Sequence, residues 1–136
     1  MMTAGEYYIG DLCYVMHDEW VEVCRLTFGG MVSLDGEFNL SDGRRFACYS
    51  TMFGDGTYYD DEGREYPVDA GLIGCIKLSD LNLENPSNKI EHGNVVHFVD
   101  DFETGSNLGV IHFDEITIDT VGGEYDDEYD EDDEDD

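Results

Sequence analysis

Apolar and polar residues along this chain alternate in short runs, and turns built on glycine or aspartate interrupt them about every ten residues. That rhythm predicts β-strands joined by hairpins. Residues 7–16 are rich in aromatic and β-branched side chains broken by Gly10-Asp11, which predicts two short strands around a turn. One segment departs from the two-residue period. His17-Asp18-Glu19 precedes Trp20, Val21, Cys24 and Phe28, which fall close to one helical face, with Asp18 as the predicted N-cap and Gly29-Gly30 as the stop.

From Met31 the period returns to two. Phe38 and Leu40 alternate with Glu37 and Asn39, Ser41-Asp42-Gly43 forms a turn, and residues 44–53 return as the second arm of a hairpin. Gly54-Asp55-Gly56 and Asp60-Asp61-Glu62-Gly63 are predicted turns on either side of Thr57-Tyr58-Tyr59. The run Leu72-Ile73-Gly74-Cys75-Ile76 does not alternate, as expected of a fully buried strand. Residues 79–89 read as a loop with one helical turn after a Ser79 cap, and residues 95–99 as a strand. In residues 110–113 and 115–118, Ile111, Phe113, Ile116 and Ile118 are predicted to point inward. The expected fold is mainly β (α+β). It is an antiparallel sandwich or curved sheet with one short N-terminal helix, forming a single domain over residues 1–123.

Charge changes the picture. The chain has 34 Asp and Glu against 6 Lys and Arg, a formal charge of −28. Residues 124–136 are eleven carboxylates and two tyrosines, a composition that predicts a disordered acidic tail. Taking those eleven away leaves 23 acids against six cations, so the body still carries −17. A domain of that size is roughly 35 Å across. Duplex DNA of the same length carries about 20 phosphates. The body therefore holds about as many carboxylates as the DNA segment it would replace.

With no basic patch to neutralise phosphate, neither direct nucleic-acid binding nor binding to an anionic membrane is expected. The expected partner is a basic host protein of the nucleic-acid-binding kind. The acids predicted to meet it are Asp60, Asp61 and Glu62 in one turn and Asp100, Asp101 and Glu103 in a second segment. Glu124, Asp126, Asp127, Glu128 and Asp130 of the tail join them. A hydrophobic content of 40%, with 12% aromatic residues, suffices for a core. No stretch approaches the ~20 apolar residues of a membrane span, and Met1 to Gly5 show no signal-peptide pattern. Cys13, Cys24, Cys48 and Cys75 are widely spaced among apolar neighbours, which predicts buried free thiols and a cytoplasmic setting.

Candidate chemistry is sparse. The acids around residues 59–65 lack the alternating ligand spacing of a calcium loop, and the four histidines have no HExxH or C-x-x-C company. No P-loop, Rossmann fingerprint or Gly-x-Ser-x-Gly elbow is present. No cofactor, metal or catalytic residue is assigned, and a Cys–His pair across strands is left open. Asp55 and Asp69 are the alternative anchors for the pocket of a small hydrolase or small-molecule binder.

Three stretches carry a resemblance: Tyr7-Tyr8-Ile9-Gly10-Asp11-Leu12-Cys13-Tyr14-Val15, Gly54-Asp55-Gly56-Thr57-Tyr58, and Tyr66-Pro67-Val68-Asp69-Ala70-Gly71-Leu72-Ile73-Gly74. They resemble small phage proteins of unknown function and, more loosely, a bacterial domain family of unknown function. Leu12 stands where those proteins often have Pro. The resemblance spans most of residues 6–119. It implies a β-rich fold and a phage or bacterial origin, and implies no activity, catalytic residue or cofactor. Together with the charge, it frames the expected function as a non-enzymatic accessory protein that binds a basic protein surface. Its sharpest form is a DNA mimic inhibiting a host nuclease, defence complex or transcription factor. The alternative is a β domain whose acidity serves solubility only.

Self-repulsion in a body at −17 has a measurable consequence. Melting temperature is expected to rise between very low salt and about 0.15 M, where the Debye length shrinks to about 8 Å. A flat or falling salt dependence would mean that the acids are locally compensated.

Overall fold

The computed structural model describes residues 1–29, 32–33 and 35–121. The tail acids Glu124, Asp126, Asp127, Glu128 and Asp130 lie outside the described residues, as do Gly30 and Met31. The chain opens with β1 (Gly5–Gly10), a 3₁₀ turn at Leu12–Tyr14 and helix α1 (Trp20–Thr27). Two short strands, β2 (Phe28–Gly29) and β3 (Val32–Ser33), lead to the hairpin of β4 (Gly36–Asn39) and β5 (Arg45–Ser50). A second hairpin, β6 (Gly56–Tyr59) and β7 (Glu65–Val68), precedes β8 (Leu72–Lys77). After two further 3₁₀ turns come β9 (Asn94–Phe98), β10 (Thr104–Asn107), β11 (Val110–Phe113) and β12 (Ile116–Asp119). The fold is mainly β, with antiparallel sheets and one α-helix among the described residues.

A five-stranded sheet in the order β4-β5-β8-β1-β9 forms the middle layer. Its strands alternate side chains between two cores, as the two-residue period requires. Tyr7, Ile9, Ala47, Tyr49, Ile73 and Cys75 enter one core, covered by the β6–β7 hairpin and the three-stranded sheet β10-β11-β12. Tyr8, Phe46, Cys48, Leu72 and Ile76 enter the other with Leu12, Val15, Met16 and Val23 of the 3₁₀ turn and helix. This double coverage explains why β8 reads as a continuous apolar run. Gly74 sits where Leu12 of the 3₁₀ turn packs onto the sheet. A Cβ there would lie 2.2 Å from the Ala47 carbonyl oxygen and 2.8 Å from a Leu12 methyl. Ile111, Phe113, Ile116 and Ile118 are buried as their alternation predicts.

Four local expectations are corrected. Residues 12–15 do not form a second strand: the Asp11 side chain accepts from the Cys13 amide at 2.9 Å, which bends the chain into the 3₁₀ turn. Leu12, Val15 and Met16 are all buried, at the i, i+3, i+4 spacing of a helix rather than a strand. Asp18 accepts from the side chains of Asn82 and Asn85, holding the 82–85 loop. The buried helix stripe runs through Val23 and Thr27, leaving Val21 74% exposed. Ser79 lies inside the 3₁₀ turn Leu78–Asp80 and is not its cap. Strand β10 escaped detection because Thr-Gly-Ser-Asn has no apolar period, and its pairing with β11 defines it.

Asp11 joins these layers. Its carboxylate is fully buried and accepts from three backbone amides: Cys13 at 2.9 Å, Asp69 at 2.7 Å and Ala70 at 2.6 Å. Its carbonyl accepts the Tyr8 hydroxyl at 2.9 Å. The end of β1, the 3₁₀ turn and the β7–β8 connection thus meet at one side chain. Bonds to a charged acceptor contribute about 1.5–3 kcal/mol each, and orphaned buried amides cost about as much. Asp11→Ala is therefore expected to lower stability by at least about 3 kcal/mol in urea unfolding. Asp11→Asn should recover part of that loss, since one oxygen still accepts.

Candidate functional site

Strand β9 lies at one end of the middle sheet, bonded to β1. Val96, His97 and Phe98 line one side of a cleft of about 260 Å³. Asp61, Glu62 and Arg64 from the β6–β7 turn, with Asp114, Glu115 and Ile116 from the β11–β12 turn, line the rest. Glu6 on β1 stands across from His97.

The β6–β7 turn is organised by Asp60. One of its oxygens accepts the amides of Glu62 (2.8 Å) and Arg64 (2.9 Å). The other accepts Arg64 Nε at 2.6 Å and the Tyr66 hydroxyl at 2.7 Å. Burial pushes the Asp60 carboxyl up, but the hydrogen bonds from Tyr66, Arg64 and the two amides outweigh it and hold the group below the usual carboxylate range. With Asp60 turned inward, Asp61 and Glu62 are displayed. The turn is fixed to β12 by the Asp61 amide donating to the Thr117 carbonyl at 3.0 Å and by a bridge between Asp60 and Ile118.

The second acidic segment reaches the same region. The Asp114 amide donates to the Glu103 carbonyl at 3.0 Å, seating residues 100–103 against the β11–β12 turn. Asp101 accepts the Ala4 amide at 2.9 Å, and Phe102 bridges to Met2. Asp100, Asp101 and Glu103 are exposed directly after β9.

The structure thus brings Asp61, Glu62, Asp100, Asp101 and Glu103 to the surroundings of one strand. It removes Asp60 from the set that can meet a partner, because its carboxylate is enclosed and saturated. It adds Asp114 and Glu115, which sequence reasoning did not single out. Their signal was there: an Asp-Glu pair between two alternating apolar runs is the tip of a two-residue hairpin. Arg64 is the one cation lining the cleft, and Asp60 neutralises it. Of the four exposed carboxylates on the cleft wall, Glu62 lies 3.8 Å from an Arg64 Nη atom, and Asp61, Asp114 and Glu115 have no ion pair with a cation lining the cleft.

The alternative chemistry finds little geometry. Asp55 and Asp69 are both exposed and line neither this cleft nor a second one of about 250 Å³ beside Arg45, Lys77 and Asp80. Asp69 does not anchor the loop through its side chain; its amide is what Asp11 holds. The four cysteines are free thiols, with Cys48 and Cys75 buried and Cys13 and Cys24 partly so. Burial pushes each of them above its ordinary value, and the Asp11 carboxylate adds to the effect at Cys13, so none is poised as a thiolate nucleophile. Among the described residues, no group of three or more His, Cys, Asp or Glu is placed to hold a metal ion, and no helix is long and apolar enough to cross a membrane.

The depressed Asp60 value sets a sign for pH dependence. A carboxyl held low in the folded state contributes stability above its ordinary value of about 3.9, and that contribution disappears as pH falls through the folded value. Asp60→Asn is expected to cost about 2–3 kcal/mol at neutral pH. In parallel acid titrations of stability, the gap between the two proteins should close below about pH 4. Relief of surface repulsion is common to both and cancels in the comparison. A gap that stays constant into acid would show that Asp60 acts by packing alone.

No family model, no curated protein and no solved structure matches this chain.

Proposed function

We propose that this chain is an acidic binding module that engages a basic protein surface through the cleft along β9. The observation that supports this reading is convergence. Carboxylates of the β6–β7 and β11–β12 turns line a cleft beside one strand, those of residues 100–103 follow that strand directly, and the local guanidinium is occupied by an inward-facing aspartate. Two more of the six cations, Arg44 and Arg45, are each paired with carboxylates. In the finer version of the proposal, the carboxylates stand in for phosphates and the partner is a nucleic-acid-binding protein of a host that the module inhibits. Long-range attraction then speeds encounter, and the cleft gives the encounter a direction.

The test separates this from acidity that serves solubility alone. Two variants with equal charge change are compared: Asp61→Asn/Glu62→Gln/Asp114→Asn/Glu115→Gln in the cleft, and Asp55→Asn/Asp69→Asn/Glu84→Gln/Glu91→Gln at exposed sites that do not line it. Each is used as bait in bacterial lysate at low salt. The remote variant is expected to capture the partners of the parent chain and the cleft variant to lose them, with little change in stability because exposed substitutions cost under about 0.5 kcal/mol each. Added duplex DNA should displace a nucleic-acid-binding partner, and capture should weaken steeply as salt rises. Equal behaviour of the two variants would leave the acidity as a solvation device.

A further inference from the structure

The two end strands of the middle sheet are protected very differently. On β4, Glu37 is held by the Met1 ammonium, by Arg45 at 2.6 Å and by Thr104 at 2.7 Å. Burial pushes the Glu37 carboxyl up, and these three bonds bring it below its ordinary value. A charged side chain pinned over an edge, with Thr104 of β10 lying against it, is a device that blocks strand pairing. Strand β9 has no such device. Its sequence, Asn-Val-Val-His-Phe, contains no proline, lysine or acid, and β1 is its only partner among the described strands. Val95 is 44% exposed, and Val99 just beyond the strand is 78% exposed.

An edge strand presents a row of backbone donors and acceptors along its open side, and an incoming strand can bond to them. What selects the occupant here is charge. Asp61, Glu62, Asp114 and Glu115 line the cleft with Val96, His97 and Phe98. Asp100 and Asp101 follow at the end of the strand. A second copy of this chain would bring another −28 to the same edge, so self-pairing is opposed by like-charge repulsion. A neutral strand would gain the ladder and leave the acids unanswered. An extended segment with alternating basic residues answers both.

We propose that β9 is a receiving edge for an extended basic segment of a partner protein, which adds to the sheet as a sixth strand and places alternate Lys or Arg side chains against the cleft acids. The inference rests on the reading of the chain as a module for basic proteins, and it supplies the binding mode. Backbone pairing would give affinity, and the acids would choose the sequence.

The probe is a synthetic peptide of alternating lysine and valine, about eight residues long to match a typical strand. Two analogues carry the same charge but are N-methylated at alternate residues, one in each register, so that each loses one row of amide donors. Binding to the full chain is measured at low salt, with amide hydrogen exchange read at β9. The parent peptide is expected to bind and to slow exchange of β9 amides. At least one analogue should bind about tenfold or more weakly, because it cannot complete the ladder. If both analogues bind as tightly as the parent and β9 exchange is unchanged, strand addition is overturned while electrostatic capture of basic partners stands. If none of the three peptides binds even at low salt, strand addition and the cleft as a site for basic partners are overturned together.

Discussion

A buried carboxylate must be answered by hydrogen-bond donors, and this chain has six Lys and Arg with which to answer 34 acids. Asp11 shows the solution on which the layers depend. Its side chain is enclosed and balanced by backbone amides instead of a cation. Amide donors to an ionised acceptor are short and strong, and they come with the chain wherever it turns. Backbone amides are also accepted nearer the surface by Asp35, from Ser50 at 3.0 Å, and by Glu22, from Ser41 at 2.7 Å, and inside the hairpin by Asp60, where Arg64 adds a cation. An acidic sequence thus uses part of its excess as backbone staples.

The tyrosines complete this economy of donors. Tyr7, Tyr8, Tyr58 and Tyr66 are all fully buried, and each hydroxyl reaches an oxygen at the margin of the core. A large apolar ring with one polar tip fills a layer and ties a loop with the same side chain. Tyr8 reaches the Asp11 carbonyl from the helix-side core, and Tyr66 reaches the Asp60 carboxylate from the opposite one. Both acidic hubs are therefore welded to a core by an aromatic residue. At Asp60 the consequence extends outward: satisfying that carboxylate inside the hairpin engages Arg64 at 2.6 Å and leaves Glu62 on the cleft wall a longer contact with it, 3.8 Å.

Much of the fold was legible because its signals are local. The β4–β5 hairpin follows from alternation on either side of Ser41-Asp42-Gly43, and the inward residues of β11 and β12 follow from the same period. The buried run of β8 announced a strand covered on both faces. The errors share a cause. Residues 12–15 have strand-forming side chains, but the turn is decided by one side chain bonding to a backbone amide two residues on, and β10 has no hydrophobic period to read. Of the body acids expected to meet a partner, Asp60 is enclosed while Asp61 is exposed, and residue type cannot tell the two apart.

By itself the sequence determined a β-rich body and the excess of negative charge, because alternation and net charge are properties of residue type and order. Only the tertiary structure decided which carboxylates work inside and which stand outside. Asp60 and Asp61 are chemically identical neighbours, separated by which side of a hairpin turn each occupies. Only the structure decided, too, that acids of two separate turns line one cleft with β9. That convergence comes from the pairing of β9 with β1 and from the bonds of β12 and residue 103 to the two turns, contacts between residues far apart in the chain that no local pattern encodes.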